Sequence, residues 1–110
     1  MNKHDEMDSK CYLGLFICPS RAEFYFCGNE IRLTRGEAKL MNMFLSNPQQ
    51  IFSRELCLYA LASDGEKDTR VVDVYIKNIR KKITTEKALA LTIIKSGRGL
   101  GYRLWRHADL

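Results

Sequence analysis

The hydrophobic pattern of this chain changes period twice, at Thr34 and after Ile83, which divides it into three stretches. Before Thr34 the apolar residues come in runs of strand length. Residues 11–17 form one run, ended by Pro19 and Ser20, and residues 22–27 form a second, rich in aromatic and β-forming side chains. Gly28 and Asn29 then turn the chain into residues 30–33. This part of the protein therefore reads as a small antiparallel sheet containing a β-hairpin.

At Thr34 the period becomes 3.6. The sequence Thr34-Arg35-Gly36-Glu37 spells a capping box, in which the Thr34 hydroxyl accepts from a helix N–H and Glu37 reaches back to the Thr34 N–H. Leu40, Met41, Phe44 and Leu45 share one face of the helix that follows, and Asn47-Pro48 closes it. Ile51 and Phe52 bridge to a second helix, capped by Ser53 and carrying Leu56, Leu58, Tyr59 and Leu61. A third helix is expected over residues 68–83, with Asp68 or Thr69 as its cap. At about 100° per residue, Val72, Ile76, Ile79 and Ile83 fall in one stripe, while Arg70, Val74, Lys77 and Lys81 point the opposite way. Past a polar turn, residues 91–95 and 101–105 read as two strands joined by a glycine-rich turn. The order sheet, three helices, hairpin is α+β. Two short helices on a tight link, then a basic helix and a hairpin, make a winged helix-turn-helix whose third helix suits a major groove and whose wing, residues 95–102, suits the adjacent minor groove.

Length sets one domain, residues 11–106, between a polar tail at 1–10 and a short tail at 107–110. No apolar run reaches the ~18 residues of a membrane span and the start lacks an apolar signal region, so the expected location is cytoplasmic. The four cysteines (11, 18, 27, 57) form no C-x-x-C pair, and His4 and His107 lie in the tails. That pattern fits reduced core thiols and supplies neither a metal site nor a cofactor site. No nucleophile elbow, zinc-protease motif or core histidine is present, so no catalytic residue is assigned and the chain reads as a non-enzyme with no small-molecule substrate.

Charge adds the decisive asymmetry. The net charge is +5, yet residues 68–106 hold ten Lys or Arg against three acids, whereas residues 1–67 hold eight bases and nine acids. A one-sided positive field is the footprint of a polyanion binder. On the exposed helix face, Asn78 has the geometry for a bidentate pair with adenine, and Val74 is suited to contact a thymine methyl. Arg98 stands between Gly97 and Gly99 in the wing turn, placed for minor-groove insertion. Because the glycine loop leads into a strand and lacks G-K-S/T, it does not read as a nucleotide cradle. Ser53 and Arg54 at the start of the second helix can offer N–H groups and charge to a phosphate, with simple capping as the alternative for Ser53. Asp73 is expected to make an internal ion pair or hydrogen bond on the flank beside Arg80.

Three segments carry a family likeness: L-T-R-G-E-A-K-L-M-N-M-F-L-S-N-P-Q-Q-I-F-S-R-E-L, then R-V-V-D-V-Y-I-K-N-I-R-K-K-I, then S-G-R-G-L-G-Y-R-L. In this order and spacing they resemble the effector domain of OmpR/PhoB-type transcription regulators, bacterial proteins of two-component systems, over about residues 22–105. The resemblance implies a four-stranded N-terminal sheet and sequence-specific binding to double-stranded DNA on tandem half-sites, with a homodimer on DNA. By the family pattern Val74 and Asn78 face bases, Arg70, Lys77 and Arg80 hold phosphates, and Tyr102 resembles a backbone-contacting position, with a core tyrosine as the alternative. The residues themselves add Arg98 as a base contact in the minor groove and Lys81, Ser53 and Arg54 as phosphate contacts. By analogy, Asp64, Glu66 and Lys67 occupy the loop through which relatives contact RNA polymerase. Two features depart from the pattern: Ala62 stands where many members carry Trp, and the loop at 63–69 is short and acidic. No phosphoryl-accepting receiver segment precedes the module, which leaves open a fragment, a regulator independent of phosphorylation, or a membrane-anchored activator. The alternative function is a winged helix turned protein-interaction module that binds another regulator or polymerase instead of DNA.

Overall fold

The structure is a computed structural model that describes residues 9–12, 14–26, 28–62, 65–83, 91–96 and 99–106. Four strands open it: β1 (Lys10–Tyr12), β2 (Leu15–Cys18), β3 (Glu23–Phe26) and β4 (Asn29–Glu30). They pair antiparallel in chain order. Three helices follow, α1 (Arg35–Ser46), α2 (Arg54–Leu61) and α3 (Arg70–Ile83), and the hairpin β5 (Leu91–Ser96) and β6 (Tyr102–Arg106) ends the fold. This is the winged helix-turn-helix expected from the element order.

The apolar run at 11–17 is two strands rather than one. Gly14 takes φ 91°, open to glycine at little cost, and turns the chain so that Tyr12 pairs with Leu15 and Lys10 with Ile17. A run this apolar carries no period-2 signal with which to mark the turn. Lys10, assigned from sequence to the tail, is the first residue of β1. Leu15, Ile17, Phe24 and Phe26 are buried on one face, with Cys18 also buried at the end of β2, while Phe16 and Tyr25, directly opposed across β2 and β3, meet on the other face as tilted rings with centroids 6.2 Å apart. The strand expected over 30–33 ends at Glu30, although the Ile31 N–H still donates to the Phe24 carbonyl at 2.9 Å.

The capping box forms as the sequence spells it. Thr34 Oγ1 accepts from the Glu37 N–H at 3.3 Å, and Glu37 Oε1 accepts from the Thr34 N–H at 2.8 Å. Glu37 is only 3% exposed, and its carboxylate also accepts from Lys82 Nζ near the end of α3, so one acid caps α1 and ties it to α3. Leu40, Met41, Phe44 and Leu45 face the sheet and the other helices as the spacing predicts. Helix α2 buries Cys57 and Leu61 while Leu56 and Tyr59 are exposed, because only one side of so short a helix meets α1 and α3. Cys18 and Cys57 are the core thiols anticipated, and burial pushes the Cys57 thiol up to about 11; Cys11 is exposed on β1, and Cys27 lies outside the described residues.

Val72, Ile76, Ile79 and Ile83 are each at most 1% exposed, so the predicted stripe of α3 is the part locked into the core. At about 1.5–3 kcal/mol per buried aliphatic side chain, this stripe fixes the rotation of α3 about its own axis. The opposite face is thereby forced outward.

Candidate nucleic-acid interface

The outward face of α3 carries Val74, Lys77, Asn78, Arg80 and Lys81, all exposed, with Val74 at 55%. An exposed valine among cations is an apolar contact point set in a positive field. Asp68 caps the helix, its Oδ1 accepting from the Arg70 N–H at 2.9 Å. Its second oxygen holds the Arg70 guanidinium at 2.7 Å from Nη2, which keeps the Asp68 carboxyl below the usual carboxylate range. The Arg70 side chain is 89% exposed, and so open an ion pair contributes little, which leaves the guanidinium available to a stronger anion.

Asp73 sits half-buried one turn into α3 and gathers residues from two other elements. Arg54, the first residue of α2, donates from Nε to Asp73 Oδ1 at 3.0 Å, and the Tyr102 hydroxyl of β6 donates to the same oxygen. Hydrogen bonding from Tyr102, then Arg54, holds the Asp73 carboxyl below its ordinary range. Burial, followed by the hydrogen bond to Asp73, pushes the Tyr102 phenol upward. The guanidinium carbons of Arg54 and Arg80 lie 5.7 and 5.8 Å from the centroid of the Tyr102 ring, within cation–π range. The internal ion pair expected of Asp73 is therefore present. Its partner is Arg54, while Arg80 reaches the cluster through the ring of Tyr102.

The hairpin is fixed to the helices by backbone. Phe52 and Tyr102 exchange both hydrogen bonds, at 2.8 and 2.9 Å, in an antiparallel bridge between the α1–α2 link and β6. Sequence reasoning missed this bridge, since no periodicity marks a single paired residue. Ser53 acts as the N-cap of α2, its Oγ accepting from the Leu56 N–H at 3.1 Å. The wing candidate Arg98 and the loop residue Asp64 lie outside the described residues; Glu66 is half-buried and Lys67 exposed in the loop between α2 and α3. Among the described residues there is no cluster of three or more His, Cys, Asp or Glu able to hold a metal, and no helix long and apolar enough to cross a membrane.

The family model described as "Transcriptional regulatory protein, C terminal" matches residues 28–104, which takes in all three helices and most of the hairpin. The chain belongs to this OmpR/PhoB-type effector family. The chain is 38% identical over 106 residues to the alkaline phosphatase synthesis transcriptional regulatory protein PhoP of Bacillus subtilis, an alignment that takes in 93% of this chain and 43% of that protein. It thus spans less than half the length of that relative. Among solved structures, the RstA DNA-binding domain of Klebsiella pneumoniae in complex with RstA box superimposes with a TM-score of 0.71 at 27% identity, covering 87% of this chain and 95% of that one. The DNA-binding domain of response regulator AdeR, in complex with an intercistronic region, gives 0.75 at 26% identity, covering 88% and 98%.

Proposed function

We propose that the chain is a sequence-specific double-stranded DNA-binding module of a bacterial transcription regulator, working in the cytoplasm. The observation that carries this reading is the rotation of α3: its aliphatic stripe is wholly buried, so Val74, Lys77, Asn78 and Lys81 must face outward from the basic third of the chain. Helix α3 enters the major groove with Val74 and Asn78 at base edges. Arg70, Lys77, Arg80 and Lys81 hold phosphates on either side, aided by Arg54, Tyr102 and the N-terminus of α2 beyond Ser53. The hairpin crosses the backbone toward the minor groove, which Arg98 enters. That the similar RstA and AdeR domains were solved in complex with an RstA box and an intercistronic region supports the DNA-binding reading. Copies of the chain bind tandem half-sites, and the loop holding Asp64, Glu66 and Lys67 is the surface offered to RNA polymerase.

Selection of bound duplexes from a random DNA pool tests the reading. A recovered pair of repeated half-sites about one helical turn apart is expected. Recovery of unrelated sequences, or affinity indifferent to salt, would overturn it. A second reading, a protein-interaction module, is favoured by Leu56 and Tyr59, which stand 48% and 81% exposed on the outer side of α2. Under that reading, charge reversal at Lys77 and Lys81 leaves activity intact, whereas a DNA reader loses it.

A further inference from the structure

We infer that Asp73 is a positioning residue for recognition of the DNA backbone, holding the Arg54 and Tyr102 phosphate contacts in register and restraining attraction to phosphates that are out of place. This rests on the DNA-binding reading. Three elements meet at one oxygen: Arg54 from α2 and Tyr102 from β6 both donate to Oδ1 of Asp73 on α3. The bond to Arg54 uses Nε, the inner nitrogen, so the fork of terminal nitrogens is the part of the guanidinium that can meet a phosphate. The side chains of Arg54 and Asp73 are 40% and 44% exposed. An ion pair so open contributes only ~0–1 kcal/mol to stability, a weak reason for an acid to stand on a face otherwise built from bases.

Positioning supplies a stronger reason. The Tyr102 ring lies between the hairpin and the helices, and the guanidiniums of Arg54 and Arg80 both rest within 6 Å of its centroid. Fixing the hydroxyl of Tyr102 therefore fixes the platform against which both cations lie. The carboxylate also offsets one positive charge. Non-specific DNA binding is essentially charge attraction, so an acid at this point weakens it, while a phosphate aligned with the Arg54 fork still gains its paired hydrogen bonds.

Because both donors use one oxygen, charge and position can be separated. Asp73→Asn retains an acceptor oxygen and removes the charge; Asp73→Ala removes both; Tyr102→Phe keeps the ring and removes one donor. Affinity is measured for a selected site and for a scrambled duplex of equal length, across about 50 to 200 mM salt, on variants whose melting curves show them folded. With Asp73→Asn, both affinities are expected to rise, that for the scrambled duplex more, the salt slope to steepen by up to about one unit and the specific-to-scrambled ratio to fall, though by less than with Asp73→Ala. With Asp73→Ala the scrambled duplex is bound more tightly and the ratio falls about tenfold, the worth of a charge-assisted hydrogen bond. Tyr102→Phe lowers the ratio without changing the slope. Slope and ratio unchanged in all folded variants, with wild-type specificity intact, would leave Asp73 a structural pair and overturn the inference alone. A wild type with no selectable site overturns this inference and the DNA-binding reading together.

Discussion

Phe52 and Tyr102 stand as an isolated antiparallel pair, the N–H of each donating to the carbonyl of the other. Through this bridge the wing becomes continuous with the helix-turn-helix. Gly101, next to it, has φ 149°, and a Cβ there would meet Ser53 Cα at 2.9 Å and the Phe52 carbonyl carbon at 2.7 Å.

Backbone atoms held by two hydrogen bonds cannot step aside, so Gly101→Ala is expected to destabilise the domain by on the order of 3 kcal/mol or more. Gly99→Ala is the control. Gly99 has φ 80° with nothing within 4 Å of its Cβ position, so it incurs only the left-handed penalty of about 1–2 kcal/mol. Urea unfolding of the two variants measures the contrast; equal losses would mean that the close approach to Phe52 does not matter.

Glu37 joins two elements through one carboxylate. Glu37→Ala removes the capping acceptor and leaves Lys82 without its partner, with an expected loss of about 2–4 kcal/mol. Glu37→Gln keeps an acceptor for the Thr34 N–H and should retain roughly half of that. Thermal melts of the pair, with Lys82→Met as the reciprocal variant, establish whether the tie to α3 outweighs the cap.

The Asp73 carboxyl is held below its ordinary range when folded, first by the Tyr102 hydrogen bond. Its contribution is therefore fully present above the unfolded value of about 3.9 and is lost as pH falls through the lower folded one. Stability of the wild type is expected to fall over that acid window, and the gap between it and Asp73→Asn to close there. A gap that stays constant from neutral pH to well below about 3.9 would show that the charged form is not the stabilising one.

Base and phosphate contacts separate by their salt response. Lys77→Ala is expected to weaken binding to every sequence alike and reduce the salt slope by about 0.9. Asn78→Ala should leave the slope unchanged, remove about 1–3 kcal/mol and relax preference at one base pair. Titrations against the selected site and its single-base variants distinguish the two.

Local pattern was sufficient where a residue's role depends on near neighbours in the chain. The 3.6-residue spacing of Val72, Ile76, Ile79 and Ile83 determined which side of α3 is buried, hence which side faces outward. The Thr34 and Ser53 caps were legible for the same reason, since each bond closes within three residues. Long-range pairing was not legible. The Phe52–Tyr102 bridge, the tie of Glu37 to Lys82 and the choice of Arg54 as the partner of Asp73 join residues 19 to 50 positions apart. The turn at Gly14 was hidden inside an apolar run that satisfies one strand or two equally well. By itself, then, the sequence determined the elements, their buried faces and the basic face of the third helix, because periodicity and capping act over one or two turns. Only the tertiary structure decided how the wing is anchored and which cations gather around Tyr102, because those contacts exist only once the core has brought distant elements together.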